Sequence, residues 1–95
     1  PLSKTNASLV IKEPENNLVI RENEATVSGQ AEPGATIAIL AEDQEDLLIA
    51  DQQGVFSTII NLISGVNEIK ITAINKNGQK EEKKILVVHS TADIK

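Results

Sequence analysis

The side chains of this sequence that could carry chemistry are concentrated in one acidic stretch. Its carboxylates are Glu42, Asp43, Glu45, Asp46 and, after an apolar run, Asp51. Closely spaced carboxylate oxygens can bind Ca²⁺, and extracellular modules often bind it weakly. The stretch lacks the EF-hand pattern, however, and Asp51 lies a predicted strand away from the others. We therefore predict a solvated acidic loop over residues 41–46, with these five residues as weak calcium candidates and no confident metal site.

Catalysis is not expected from the same residues. A glycosidase needs a protonated carboxylic acid beside an ionised partner, and the loop has no aromatic neighbour that could desolvate either group. His89 is the only histidine and the chain has no cysteine, so a zinc site of familiar kind cannot form. Serines such as Ser57 show no pattern that joins them to a histidine and an acid. The sequence indicates a protein that is not an enzyme and that needs no cofactor.

Composition and charge narrow the range of partners. Phe56 is the only aromatic residue of the 95, and glycan platforms, stacked bases and protein hot spots all rely on aromatic faces. The net charge of −5 repels phosphate backbones and anionic lipid headgroups. No apolar stretch is long enough to span a bilayer. We expect no nucleic-acid partner, no direct membrane insertion, and a monomer when the domain is isolated.

The elements that must position these residues are predicted to be short strands. The chain is rich in Ile, Val and Thr, whose branched Cβ atoms suit a pleated surface better than a helix. Apolar and polar residues alternate over residues 25–31, 56–60 and 67–73. Turn signals such as Pro33-Gly34 separate the apolar runs at intervals of about 8–12 residues, which is typical of sandwiches. We predict an all-β, two-sheet sandwich of about seven or eight antiparallel strands.

The two ends of the chain differ from its middle. Residues 9–11 and 18–20 are apolar runs on either side of Pro14, and we predict that they form an edge strand split by a proline kink. Three consecutive apolar residues leave open which face of each run is buried. The polar ends predict a linker or lead-in at residues 1–7, a sandwich at residues 8–90 and a tail or second linker at residues 91–95.

Four segments carry motifs with a characteristic spacing. Residues 27–37 read V-S-G-Q-A-E-P-G-A-T-I, residues 51–56 contain D-x-x-G-x-F, and residues 62–73 contain L-x-x-G-x-N-x-I-x-I-x-A. An N-x-x-G turn follows at residues 75–78. Together, over residues 24–88, they resemble bacterial immunoglobulin-like domains. That family includes the accessory Ig-like module of secreted glucodextranase and many tandem repeats of bacterial surface proteins.

The resemblance implies a role without chemistry. Such domains typically act as structural spacers or accessory modules of larger exported proteins, so the chain is expected to be extracytoplasmic, either secreted or at the cell surface. Neighbouring domains of the same chain are then its expected partners, and the shared motif positions are structural. The alternative is a binding module for a cell-surface glycan or protein partner, acting through loops or a sheet edge. Self-assembly of neighbouring copies is a third interpretation.

Three motif residues have predicted structural roles. Phe56 is expected to fill the centre of the core, and Gly29 to lie where Phe56 or the facing sheet approaches closely. Asn67 is expected to hydrogen-bond backbone groups of the crossover after Gly65, because buried amides need partners. The charges at residues 80–84 are expected to form a mixed, solvated edge that resists strand addition.

Overall fold

The computed structural model describes residues 8–91, and it contains eight strands. The predicted linker at residues 1–7 and all but the first residue of the predicted tail lie outside the described part. The strands are β1 (Leu9–Glu13), β2 (Leu18–Ile20), β3 (Glu24–Ala31), β4 (Thr36–Leu40), β5 (Glu45–Ile49), β6 (Val55–Asn61), β7 (Gly65–Ile74) and β8 (Lys80–His89).

Two sheets make up the molecule, as the period-two pattern predicts. One sheet has three strands in the order β1-β3-β6, and the other has five in the order β2-β8-β7-β4-β5. Within residues 8–91 there is no helical segment, so the all-β class is confirmed. Among the same residues, no helix is long and apolar enough to cross a membrane.

One strand pair corrects the prediction that all strands are antiparallel. β2 pairs with β8 in parallel, with Val19 opposite Val88. Between β1 and β2 the chain passes through a kink at Pro14, whose peptide bond with Glu13 is cis. Here the chain leaves β1 at the edge of the small sheet and joins the large sheet without reversing its direction. β8 runs in that same direction, so the short β2 lies parallel to it. The prediction of an edge strand split at the proline is confirmed.

The core lies between the sheets and is built by alternate residues of the long strands. On β7 the buried positions are Asn67, Ile69, Ile71 and Ala73, and the intervening residues point away from the core. β3 alternates in the same way from Ala25 to Ala31. Branched aliphatic side chains supply most of the largest fully buried residues, so β propensity and core packing favour the same segments.

Phe56 contacts the one position of β3 that has no side chain. Gly29 lies directly opposite Phe56 in the antiparallel pair of β3 and β6, and Phe56 is only 4% exposed. A Cβ atom at Gly29 would overlap the carbonyl oxygen of Val10 and lie 2.9 Å from the Phe56 ring. The prediction for Gly29 is confirmed, since the Phe56 ring needs a glycine on the neighbouring strand. Phe56 is part of the core, but it is not among the largest fully buried side chains, so its place at the centre of the core stays a prediction.

The acidic loop is shorter than predicted. β5 begins at Glu45 rather than Leu47, because Glu45 and Asp46 pair with Leu40 and Ile39 of β4. Their side chains alternate across an edge strand, so the charges remain accessible while the backbone joins the ladder. Only residues 41–44 connect β4 to β5.

The first and last described strands reach opposite ends of the sandwich. Leu9 pairs with Ala31, whose N–H donates to the carbonyl of Gly54 in the turn before β6. His89 pairs with Gly65 at the start of β7, which follows the far end of β6. Strands rise about 3.3 Å per residue, so the two ends are separated by roughly 25–30 Å.

Candidate functional site

The five predicted calcium candidates do not form one cluster. Glu42 and Asp43 lie in the loop before β5, Glu45 and Asp46 lie on β5, and Asp51 follows its far end. The five residues of β5 therefore separate the first pair from Asp51 by about 16 Å. Within residues 8–91, no group of three or more His, Cys, Asp or Glu side chains is arranged to hold a metal ion. The assignment of these five residues as weak calcium candidates, without a confident metal site, stays a prediction.

Asp51 closes the turn between the two sheets. Its Oδ1 accepts hydrogen bonds from the N–H groups of Gln53 at 2.9 Å and Val55 at 2.8 Å. Gly54 completes this turn with a φ of 82°, and a Cβ there would overlap the carbonyl oxygen of Ala31. The D-x-x-G-x-F motif is therefore a structural turn that delivers Phe56 to the core.

Two other carboxylates also accept hydrogen bonds within the protein. Glu42 Oε2 accepts a hydrogen bond from the N–H of Glu68 on β7 at 3.1 Å. Asp46 Oδ2 accepts from Gln44 Nε2 at 3.0 Å and from Thr58 Oγ1 of the facing sheet at 3.3 Å. These contacts tie β5 and the loop before it to β7 and β6, so a structural role accounts for both side chains.

Gln44 is a structural residue that the sequence analysis missed. Its side chain lies against the free edge of β6, where Oε1 accepts from Asn61 N–H at 2.8 Å and Nε2 donates to the Ile59 carbonyl at 3.3 Å. The Gln44 amide thus makes the two hydrogen bonds that the backbone of a neighbouring strand would otherwise make. The two segments are 17 residues apart, and no local pattern in the sequence signals that they meet.

Asn67 hydrogen-bonds backbone groups of the crossover, as predicted, but the crossover groups lie at and before Gly65 rather than after it. It is fully buried, its Oδ1 accepts from Ile63 N–H at 2.8 Å, and its Nδ2 donates to the Ile63 carbonyl at 2.9 Å. Nδ2 also lies within hydrogen-bond distance of the Gly65 and Val87 carbonyls. This side chain fixes the crossover from the small sheet to the large one.

A second buried amide, Asn75, holds the hairpin between β7 and β8. Its Oδ1 accepts from the N–H groups of Asn77 and Gln79, both at 3.0 Å. Its Nδ2 donates to Gln79 Oε1 at 2.7 Å and reaches Glu32 Oε2 at 3.3 Å. The N-x-x-G motif predicted the turn, but nothing in it predicted the contact with Glu32.

No arrangement typical of a hydrolase appears among residues 8–91. Ser57 lies on β6 of the small sheet and His89 ends β8 of the large one, so the two are in different sheets. The His89 Nδ1 atom is buried and has no hydrogen-bond partner among the described residues. A cleft of about 430 Å³ between β1 and β8 is open to solvent, and neither a serine nor a histidine lines it.

Comparison with known proteins identifies the architecture. The sequence matches no family model and no curated protein. The fibronectin(III)-like modules of CbhA from Clostridium thermocellum share the fold with a TM-score of 0.61 and 13% identity, over 87% of this chain and 96% of theirs. The fold is immunoglobulin-like. The resemblance predicted from the motifs is thus confirmed at the level of fold, while the specific likeness to the glucodextranase module stays a prediction.

A second solved structure places the same fold inside a larger protein. A carbohydrate acetylesterase from Xanthomonas citri matches with a TM-score of 0.59 and 20% identity. The match covers 83% of this chain but only 19% of the esterase. At these identities the likeness of both proteins to this immunoglobulin-like chain is one of fold.

Proposed function

We propose that this chain is a non-catalytic accessory module that acts as a spacer in a larger exported bacterial protein, secreted or at the cell surface. The observation that carries the proposal is the position of its ends. The chain enters the sandwich at Leu9 and leaves it at His89, at the opposite end of the long strands. A module linked in this way holds its neighbours apart by its own length.

The internal contacts support a rigid spacer. Asn67 and Asn75 lock the two connections that flank β7, and both side chains are buried. Asp46 and Gln44 tie β5 to the edge of the facing sheet. With its loops held by side-chain hydrogen bonds, the module transmits a fixed separation to whatever precedes and follows it. Neighbouring domains of the same chain are its proposed partners.

The similar proteins support the accessory part of the proposal. Fibronectin(III)-like modules have the same architecture over almost their whole length, and the acetylesterase carries it in a small part of its chain. The acetylesterase activity of the latter is not proposed for this chain. None of the contacts described above joins a nucleophile to a base.

Distance measurement by electron spin resonance tests the spacer proposal. The chain has no cysteine, so Ser8→Cys and Thr91→Cys allow two spin labels to be attached selectively. We expect one narrow distance distribution, centred roughly at 25–35 Å once the label arms are included. A broad distribution, as for a flexible linker, would contradict rigidity. Release of acetate from acetylated glycans by the purified chain would contradict the proposal that the module is not catalytic.

A further inference from the structure

We propose that the free edge of β5 is a docking site for an extended, positively charged peptide segment, which adds to the large sheet as a sixth strand. β5 is the last strand of the sheet, and among residues 8–91 it pairs with β4 alone. Addition of a strand to such an edge is a recurring mode of peptide recognition. The proposal goes beyond the spacing role and does not depend on it.

The backbone of β5 presents a complete row of hydrogen-bonding groups. Just beyond the strand, Ala50 donates to the Ala35 carbonyl at 2.9 Å and accepts from Gly34 N–H at 3.1 Å, so even-numbered residues face β4. Backbone groups of successive residues alternate in direction along a strand. The N–H and C=O groups that point to the free edge therefore belong to Glu45, Leu47 and Ile49.

The side chains on this edge are unusually apolar for an exposed strand. Leu47 is 73% exposed and Ile49 is 64% exposed, the two highest values among the large apolar side chains of the described residues. Both lie on the outer face of the sheet, where they are opposite Ala38 and Thr36 of β4. A strand added at this edge would cover them with its own side chains.

Other edges of the sandwich are protected against such pairing. β1 carries a register irregularity between Ile11 and Glu13 and an exposed lysine between them, and β2 has only three residues. Bulges, edge lysines and short strands are known ways to block strand addition. At its two ends β6 has edge backbone groups occupied by side chains, by that of Asp51 at the Val55 N–H and by that of Gln44 at the Ile59 carbonyl and the Asn61 N–H.

β8 is protected as well, and β5 contrasts with all of these edges. β2 covers the last three residues of β8, and the stretch before it carries Lys80, Lys83 and Lys84. β5 contains no proline, no lysine and no bulge. Its inward-pointing charge, Asp46, already accepts two hydrogen bonds, so an added strand would not leave it unpaired.

Charge decides which occupant fits. A second copy of this chain, paired antiparallel about Leu47, would bring Asp43 of each copy near Asp51 of the other, just beyond the two ends of β5. Like charges brought together in this way destabilise a strand pair. A segment with lysine or arginine at those positions would turn both repulsions into attractions, and a basic residue opposite Glu45 would add a third. The acidic residues that flank β5 thus disfavour self-pairing and favour a basic partner.

This reasoning specifies a probe. In an antiparallel pair, basic residues are needed opposite Asp51, Glu45 and Asp43, and apolar residues opposite Ile49 and Leu47. The nine-residue peptide Lys-Thr-Val-Thr-Val-Thr-Lys-Thr-Lys has this pattern. A control peptide with Glu in place of each Lys keeps the strand propensity and reverses the charge.

Titration of the labelled probe into the full 95-residue chain, followed by fluorescence anisotropy, tests the proposal. We expect saturable binding that weakens as NaCl is raised, because exposed charges are screened, and no binding of the Glu peptide. Leu47→Lys should weaken binding at least about tenfold, since it removes apolar contact and adds a like charge. The matched control is Val66→Lys, a position on the same outer face with 59% exposure, which should bind as the unaltered chain does.

Other outcomes would overturn the proposal. Absence of saturable binding, equal binding of the Glu peptide, or equal loss in Leu47→Lys and Val66→Lys would each do so. Slow amide exchange at Leu47 and Ile49 before any peptide is added would show that a segment of the chain already occupies the edge. A dimer in sedimentation equilibrium that Leu47→Lys dissociates would identify a second copy as the occupant. If the chain binds no peptide but gives the narrow label distance, the spacer proposal stands and the docking proposal is refuted.

Discussion

At the scale of single residues, the core depends on one aromatic ring that lies over a glycine. Replacing Phe56 by Ala should lower the free energy of unfolding by about 3–5 kcal/mol, because it removes a buried ring and leaves a cavity that the strands cannot close. Urea denaturation measures this loss. Ile59→Ala on the same strand is the control, since that side chain is 56% exposed, and it should cost less than about 1 kcal/mol. Equal losses in the two variants would show that Phe56 does not have this role.

A second prediction at this scale concerns the contribution of Asn67 to stability. Asn67→Leu keeps the approximate volume but leaves the N–H and C=O of Ile63 without their side-chain partner inside the protein. Because each of these two groups left unpaired costs about 1–3 kcal/mol, the free energy of unfolding should fall by at least about 2 kcal/mol. The exposed Asn61→Leu should change it by no more than about 0.5 kcal/mol. A loss below about 1 kcal/mol in the Asn67 variant would mean that the crossover is held by other contacts.

What the sequence predicts at this scale depends on how local the cause is. The close approach at Gly29, the burial of Phe56 and the backbone hydrogen bonds of Asn67 are predicted correctly because each residue belongs to a motif whose spacing fixes its face and its neighbours. Gln44 bonds a segment 17 residues away, and Asn75 bonds Glu32 over a separation of 43 residues. Such contacts arise only when the two sheets are assembled, so no periodicity in the sequence could reveal them.

At the scale of elements, the edge of β6 depends on a side chain from the loop before β5. Gln44→Ala should speed the hydrogen exchange of the Asn61 amide, which loses its acceptor, and should leave the amide of Ile60 protected. The free energy of unfolding should fall by about 0.5–1.5 kcal/mol. Exchange measured by NMR separates the two amides. Gln52→Ala, in the exposed turn after β5, should change the exchange of neither the Asn61 nor the Ile60 amide. Faster exchange of both amides in the Gln52 variant would indicate a general loss of stability.

Sequence patterns predict some strands of this protein better than others. The long strands β3 and β7 alternate cleanly, because one face of each is buried and the other is not. The sequence places the start of β5 two residues too late, because charged residues on an edge strand resemble a loop. The antiparallel direction predicted for β2 is wrong, since Leu18-Val19-Ile20 carries no period and β2 pairs in a different sheet from β1.

At the scale of the whole molecule, the distribution of carboxylates leads us to predict that calcium does not stabilise the fold. Asp51 and Asp46 already accept hydrogen bonds within the protein, and Asp51 lies at the opposite end of β5 from Asp43. We expect the melting temperature in about 5 mM Ca²⁺ to equal that in a chelator, because weak extracellular sites would be well occupied at this concentration. A melting temperature that rises with Ca²⁺ and falls back with chelator would establish a site. Mg²⁺ at the same concentration controls for ionic strength.

The opposite placement of Leu9 and His89 has a mechanical consequence. A force that pulls the two ends of the chain apart acts along β1 and β8, since each runs from the Leu9 end of the sandwich toward the His89 end. β8 is bonded to β7 over ten residue pairs, and these bonds lie across the direction of pull. They are loaded together in shear rather than opened one after another. The sandwich therefore resists extension as a unit, and a tether that contains it bears tension without lengthening until the terminal strands slide free.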